Sequence, residues 1–180
     1  MQGIIIGNIS NMYQIKTEKT VYKSYARGRF KKEEVKPMVG DVVDIEIIDA
    51  EKSEAIIENI KERKNEIKRP KIANIDQIVF IISTKNPKPD LLMLDKQLVY
   101  VESLNIEPII VINKIDLSDN YKKIQELYNK IGYKTVAIST KENIGIDMLR
   151  LELKGKISVF AGNSGVGKSS TINVLFGENK

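Results

Sequence analysis

Eight residues near the end of this chain, Gly162-Asn163-Ser164-Gly165-Val166-Gly167-Lys168-Ser169, fit the spacing G-x-x-x-x-G-K-[ST] at every required position. Their chemistry is phosphate binding. Glycines let the backbone curl until several N–H groups point at one anion. A helix that starts at the lysine adds its unpaired N–H groups and the positive end of its dipole. Lys168 would reach the β and γ phosphates of a nucleoside triphosphate, and the Ser169 hydroxyl would ligate Mg²⁺. These two are the candidate catalytic residues. Ser170 completes the candidate phosphate-binding set in the first helical turn.

A phosphate loop does not select a base. Asn113-Lys114-Ile115-Asp116 follows the apolar stretch "EPIIVI". That places the tetrad at the C-terminal end of a strand, where ligands bind in open α/β sheets. The pattern N-K-x-D resembles the guanine-reading motif of GTPases. A carboxylate at Asp116 can accept from both N1–H and the 2-amino group of guanine. Adenine offers neither donor there, and sites built on hydrogen bonds reject such analogues strongly. Asn113 would brace the pocket, and the Lys114 stem would lie along the base. Ser139-Thr140-Lys141, after "KTVAI", resembles the weaker S-A-K element, whose backbone N–H meets the guanine oxygen; here Thr140 stands in place of alanine. A plain strand-to-loop turn explains that tripeptide as well.

The elements that must position these residues follow from periodicity. "DQIVFIIS" and "EPIIVINK" are continuous apolar runs, as in strands buried on both faces. "DLLMLDKQLVYVESLN" and "SDNYKKIQELYNKIG" have helical spacing, the second with Ser118 or Asp119 as its cap and Gly132 as its stop. "YKTVAIS" and "KISVFAG" read as strands, "IGIDMLRLEL" and "SSTINVLFG" as helices. Strands alternating with helices predict a mostly parallel sheet covered on both faces. The first 60 residues differ. "GIIIGNISNMYQIKT", "KTVYKSYARGRF", "VGDVVDIEIID" and "SEAIIENIK" are short β-type runs, which suggest a small antiparallel barrel or sandwich. The expected organisation is a barrel over residues 1–60, a charged linker over 61–73, and a nucleotide-binding domain over 74–180.

Composition narrows the field. The 180 residues carry a net charge of +5 and contain neither cysteine nor histidine. Disulfides, zinc held by cysteine or histidine, and histidine acid–base catalysis are thereby excluded for these residues. The N-terminus lacks a basic segment before a long apolar run, so it does not read as a signal peptide. No stretch approaches the length of a membrane span. The expectation is a cytoplasmic protein that engages no membrane.

The base-reading tetrad precedes the phosphate loop here, whereas ordinary GTPases have the reverse order. A circular permutation of this kind is tolerated when the original termini lie close together on the surface. With the barrel in front, the order resembles that of the ribosome small-subunit-dependent GTPases, the RsgA/YjeQ family. "KPMVGDVVDIE", "RKNEIKRPKIANIDQIVFIIS", "PDLLMLDKQLV", "VINKIDL" and "FAGNSGVGKSSTINVLFG" carry the resemblance, which covers nearly the whole chain. It implies an OB-fold barrel followed by a circularly permuted α/β P-loop GTPase domain. It also implies GTP and GDP with Mg²⁺ as ligands, the small ribosomal subunit and its rRNA as partners, and a monomer. The family continues into a γ-phosphate-sensing threonine, a D-x-x-G element and a zinc domain. None of these lies within the 180 residues, so the domain is expected to be incomplete at its C-terminus. The full-length protein is expected to hydrolyse GTP to GDP and phosphate in late maturation of the small subunit, and the 180 residues alone to do so weakly or not at all.

Lys16, Lys19, Lys23, Arg27, Arg29, Lys31, Lys32 and Lys36 cluster around Tyr22, Tyr25 and Phe30, diluted by Glu18, Glu33 and Glu34. OB folds bind nucleic acid with a basic groove and aromatic platforms. The other reading is a solvated loop with its tyrosines in the barrel core. Lys61, Arg63, Lys64, Lys68 and Arg69 at the junction either meet phosphates or stay solvated. Two rivals stand beside the GTPase reading. One is an RNA-binding barrel module with a guanine site that senses without hydrolysing. The other is an ATP-dependent enzyme in which N-K-I-D is accidental.

Overall fold

The computed structural model describes residues 1–27, 30 and 36–177. Arg29, Lys31 and Lys32, with Glu33 and Glu34, lie outside the described residues. The chain divides into two compact units, Met1–Ile75 and Asp76–Lys180.

The first unit begins with β1 (Gln2–Ile9), β2 (Met12–Lys16), β3 (Val21–Ala26), β4 (Val42–Asp49) and β5 (Glu54–Ile60). Ser10 and Asn11, both with positive φ, form the two-residue turn that joins β1 to β2. The five strands close into a barrel in the order β1-β2-β3-β5-β4. The barrel is not wholly antiparallel: β3 and β5 run parallel where it closes. Side chains alternate across a strand, so Ile5, Tyr13, Ile15, Tyr22, Val43, Ile45 and Ile57 fill the interior, with Phe30 among them. Tyr22 and Phe30 are therefore core residues, whereas Tyr25 is exposed.

The charged segment 61–73 is ordered structure within this first unit. It contains β6 (Glu66–Lys68) and β7 (Lys71–Ala73), paired as a hairpin. Charge holds it in place. Arg63 donates from Nε to Asp41 Oδ1 (2.7 Å) and from Nη2 to Asp41 Oδ2 (2.9 Å). Asp41 is fully buried. Arg63 also meets Glu66 at 2.6 Å and the Lys36 carbonyl at 2.8 Å. The Asn74 amide donates to the Gly40 carbonyl at 2.9 Å. Gly40 has a positive φ, and any Cβ there would overlap the Ala73 carbonyl.

The second unit is a parallel sheet of β8 (Gln77–Ser83), β9 (Glu107–Asn113), β10 (Lys134–Ala137) and β11 (Ser158–Ala161), in the order β10-β9-β8-β11. Helices α1 (Leu91–Ser103), α2 (Tyr121–Lys130), α3 (Ile146–Leu153) and α4 (Lys168–Phe176) alternate with the strands. Continuous apolar runs become central strands: Ile109, Ile110, Val111 and Ile112 are all fully buried. Each such side chain contributes roughly 1.5–3 kcal/mol by leaving water. Asp90 caps α1 by accepting from the Met93 N–H at 3.0 Å. The start of α2 differs from the expected cap. Asn120 occupies the N-cap position with helical backbone and no side-chain cap bond. The 3₁₀ turn Ile115–Leu117 delivers the chain so that Ser118 Oγ accepts from the Asn120 N–H instead, at 3.2 Å. Gly132, at positive φ, follows the end of the helix as expected. No helix among the described residues is long and apolar enough to cross a membrane.

Candidate guanine-nucleotide site

Three loops meet at the C-terminal edge of the parallel sheet. They follow β9, β10 and β11 and carry N-K-I-D, S-T-K and the phosphate loop respectively. The permuted order of the sequence is thereby restored to one neighbourhood by the order of the strands.

Asn113, the last residue of β9, is fully buried and joins all three. Its Nδ2 donates to the Val166 carbonyl of the phosphate loop at 2.9 Å. Its Oδ1 accepts from the Lys114 N–H at 2.7 Å and from the Thr140 N–H at 3.4 Å. A buried amide that bonds through both ends fixes the spacing of everything it touches. Lys114 takes the left-handed conformation, φ 62°, which is costly for a side-chain-bearing residue. Its Nζ donates to the Gly165 carbonyl at 2.7 Å and to the Asn86 carbonyl. Asp116 lies exposed in the 3₁₀ turn. The Ser139 hydroxyl donates to Asp116 Oδ1 at 2.7 Å and accepts from the Glu142 N–H at 3.1 Å. That orients the carboxylate while leaving its second oxygen outside this bond. Lys141 is exposed and pairs with Glu142 at 3.4 Å.

Within the phosphate loop, Gly162, Gly165 and Gly167 all have positive φ. Gly162 must be glycine for space as well, since a Cβ would overlap the Ile81 carbonyl. At Gly167 a Cβ would overlap the Asn113 amide. Val166 points into the core and pins the loop from below. Asn163 and Ser164 are exposed at its crest. Lys168 opens α4 and donates from Nζ to the carbonyls of Gly162 (2.7 Å) and Asn163 (2.9 Å). Phosphate oxygens, as charged acceptors, compete well for such an ammonium. Ser169 and Ser170 stand exposed in the first turn of α4. Thr171 is buried and bonds back to the Gly167 carbonyl through Oγ1 at 2.8 Å, which fastens the helix start. A loop with this backbone, at a helix N-terminus, fits a phosphate chain.

The loop after β8 also reaches the site, and the motifs do not announce it. Thr84 Oγ1 donates to the Lys114 carbonyl at 2.8 Å, and the Thr84 N–H to the Asn113 carbonyl at 3.1 Å. Its main signal in the sequence is a hydroxyl residue directly after an apolar strand, which is too common to single out.

Residues 60–180 match the family described as RsgA GTPase, and residues 2–57 match the RsgA N-terminal domain. A small ribosomal subunit biogenesis GTPase RsgA from Ruminiclostridium cellulolyticum is 45% identical, over 95% of this chain and 57% of that protein. The protein of the same name from Caldanaerobacter subterraneus subsp. tengcongensis is 40% identical, over 97% of this chain and 59% of that protein. The chain thus spans somewhat under two thirds of these relatives. Among solved structures, YjeQ from Thermotoga maritima superposes with a TM-score of 0.89 at 37% identity, over 99% of this chain and 66% of that one. YloQ, a circularly permuted GTPase, gives 0.82 at 35% identity, over 96% of this chain and 63% of that one.

Proposed function

Because the chain belongs to the RsgA GTPase family, we propose that it binds guanine nucleotide at the edge of its parallel sheet and that, within a longer protein, it hydrolyses GTP to GDP and phosphate. One observation supports the reading most directly: the buried Asn113 amide bonds the tetrad to the phosphate loop and holds the two motifs side by side. Asp116, held by Ser139, accepts from the guanine edge. Lys114 lies along the base, and the N–H groups of Gly162 to Ser170 hold the phosphates. Lys168 withdraws charge from the β and γ phosphates. Mg²⁺, when bound, would take the Ser169 hydroxyl with phosphate oxygens and water, and would neutralise charge as the phosphoryl group leaves. Zinc has no assigned place: these residues contain no cysteine or histidine.

The partner we propose is the small ribosomal subunit, following the relatives' names, with the barrel turned to rRNA in the cytoplasm and the protein working as a monomer. Support comes from exposed Tyr25 beside a groove of about 410 Å³ lined by Tyr13, Arg27, Phe30 and Lys36. Arg27 is an uneven candidate for phosphate contact, because Glu46 (2.7 Å) and Glu58 (2.5 Å) already hold it.

Calorimetric titration with GDP and with ADP, each in Mg²⁺, tests the site. GDP binding with at least about a hundredfold preference over ADP is expected, since adenine would cover the Asp116 carboxylate without donating to it and leave it unpaired. Equal binding of the two would sink the guanine reading. For the longer protein, multiple-turnover phosphate release that rises when small subunits are added is expected. Tight GTP binding with no release would instead favour a sensing site.

A further inference from the structure

We propose that Thr84, in the loop after β8, is a positioning residue for guanine recognition, setting the place of Lys114 over the base. The inference rests on the guanine-site reading and adds a residue outside the recognised motifs. Lys114 sits in a left-handed conformation that a lysine does not adopt cheaply. Something must hold it there, and the bonds around it say what. Its N–H is held by Asn113 Oδ1 at 2.7 Å, and its Nζ by the Gly165 carbonyl at 2.7 Å. Of the remaining anchors, one is the Leu117 N–H, which donates to the Lys114 carbonyl at 3.0 Å, and two come from the β8 loop. Thr84 Oγ1 holds the Lys114 carbonyl at 2.8 Å, and the Asn86 carbonyl takes Nζ.

Thr84 is itself fixed. It is 5% exposed, and its N–H donates to the Asn113 carbonyl at 3.1 Å. Its hydroxyl thus reaches Lys114 from a buried backbone already tied to β9. Without that bond the Lys114 carbonyl keeps only the Leu117 N–H, the peptide leaves the left-handed region more readily, and the side chain shifts off the face of the base with it. The phosphate loop touches Lys114 at the Gly165 carbonyl, but its main anchors are elsewhere, at Val166 in the core and at Asn113. Loss of the Thr84 hydroxyl therefore weakens contact with guanine and leaves the phosphate contacts as they were.

The test uses Thr84→Val, Thr84→Ala and Thr84→Ser with two probes, GDP and inorganic pyrophosphate, and follows the melting temperature of each variant. Val keeps the shape without the hydroxyl, Ala removes both, and Ser restores the hydroxyl. Expected is a roughly tenfold loss of GDP affinity in Val and Ala, the size of one hydrogen bond, with pyrophosphate unchanged and Ser close to the parent. Parental GDP affinity in Val and Ala would overturn the proposal. So would a parallel loss of GDP and pyrophosphate, which would mean a loop that is merely loosened. A Ser variant no better than Val would overturn it too. A parent protein that binds pyrophosphate but does not prefer GDP to ADP would instead bring down the guanine reading on which the proposal rests.

Discussion

At the scale of single residues, Gly167 and Asn113 form one unit that neither explains alone. Gly167 holds φ 99°, and a methyl there would overlap the Asn113 amide. Gly167→Ala would therefore strain the backbone by about 1–3 kcal/mol and push Asn113 off the Val166 carbonyl, at a further cost of about 1–3 kcal/mol. The expected outcome is a markedly lower melting temperature together with loss of GDP binding, read by calorimetry. A variant that melts and binds like the parent would refute the coupling. The phosphate loop was legible in the sequence because its residue types are dictated by backbone shape and by charge. Asn113 and Asp116 were legible as a motif at a strand end, and their reading of guanine is the proposal that the GDP and ADP titrations test. Thr84 was not, because its partners are main-chain carbonyls that no residue pattern marks.

At the scale of elements, the hairpin β6–β7 shows how charge can order a segment that composition reads as a linker. The charges in "KERKNEIKRPKIA" read as meeting phosphates or staying solvated, yet Arg63 places its guanidinium on the buried Asp41, and that bond raises the Arg63 pKa above its ordinary value. The sequence hides this pairing because 22 residues separate the partners. Arg63→Met would leave the Asp41 carboxylate buried without a counter-charge, at a cost of about 3–5 kcal/mol. Urea unfolding followed by a probe in the barrel would show it; an unchanged midpoint would mean the pair contributes nothing. A weaker cluster lies at the N-terminal edge of the parallel sheet. Lys156 bonds Glu107 at 2.6 Å, and Lys134 bridges Glu107 (3.4 Å) and Glu152 (2.8 Å). The hydrogen bond from Lys156, ahead of the other charges, holds the Glu107 carboxyl below its usual pKa. A carboxylate depressed by folding stabilises above its unfolded pKa of about 4.3, and that stability is lost as pH falls through the folded value. These groups are well exposed to solvent, so the screened contribution is about 0.5 kcal/mol. Glu107→Gln should thus lower the melting temperature by about 1–2 °C at pH 7, a difference that shrinks as pH falls below about 4.3. A difference that persists in acid would show that packing, not charge, is responsible.

At the scale of the whole molecule, the permuted order raises the question of how much chain the proposed guanine site requires. Every side chain assigned to it, from Thr84 to Ser170, lies in the unit Asp76–Lys180, and so does each bond that orients Asn113, Lys114 and Asp116. The alternation of strand and helix announced this sheet, and the permutation was visible as motif order. The exact place where one unit yields to the other was not, because residues 61–75 carry linker-like composition and strand geometry together. The second unit closes its own core, in which Val79, Ile81, Ile109, Val111, Ile138 and Leu149 pack together. A protein beginning at Asp76 should therefore fold and retain the preference for GDP over ADP, with affinity within about threefold of the 180-residue chain, a change of under 1 kcal/mol. It should lose any salt-dependent association with RNA that the barrel supplies. Circular dichroism would establish folding, and the same GDP and ADP titrations would read selectivity. A folded second unit that binds both nucleotides alike would mean that guanine selection draws on residues of the first unit, and the assignment of the site to Asn113, Asp116 and Ser139 would fail.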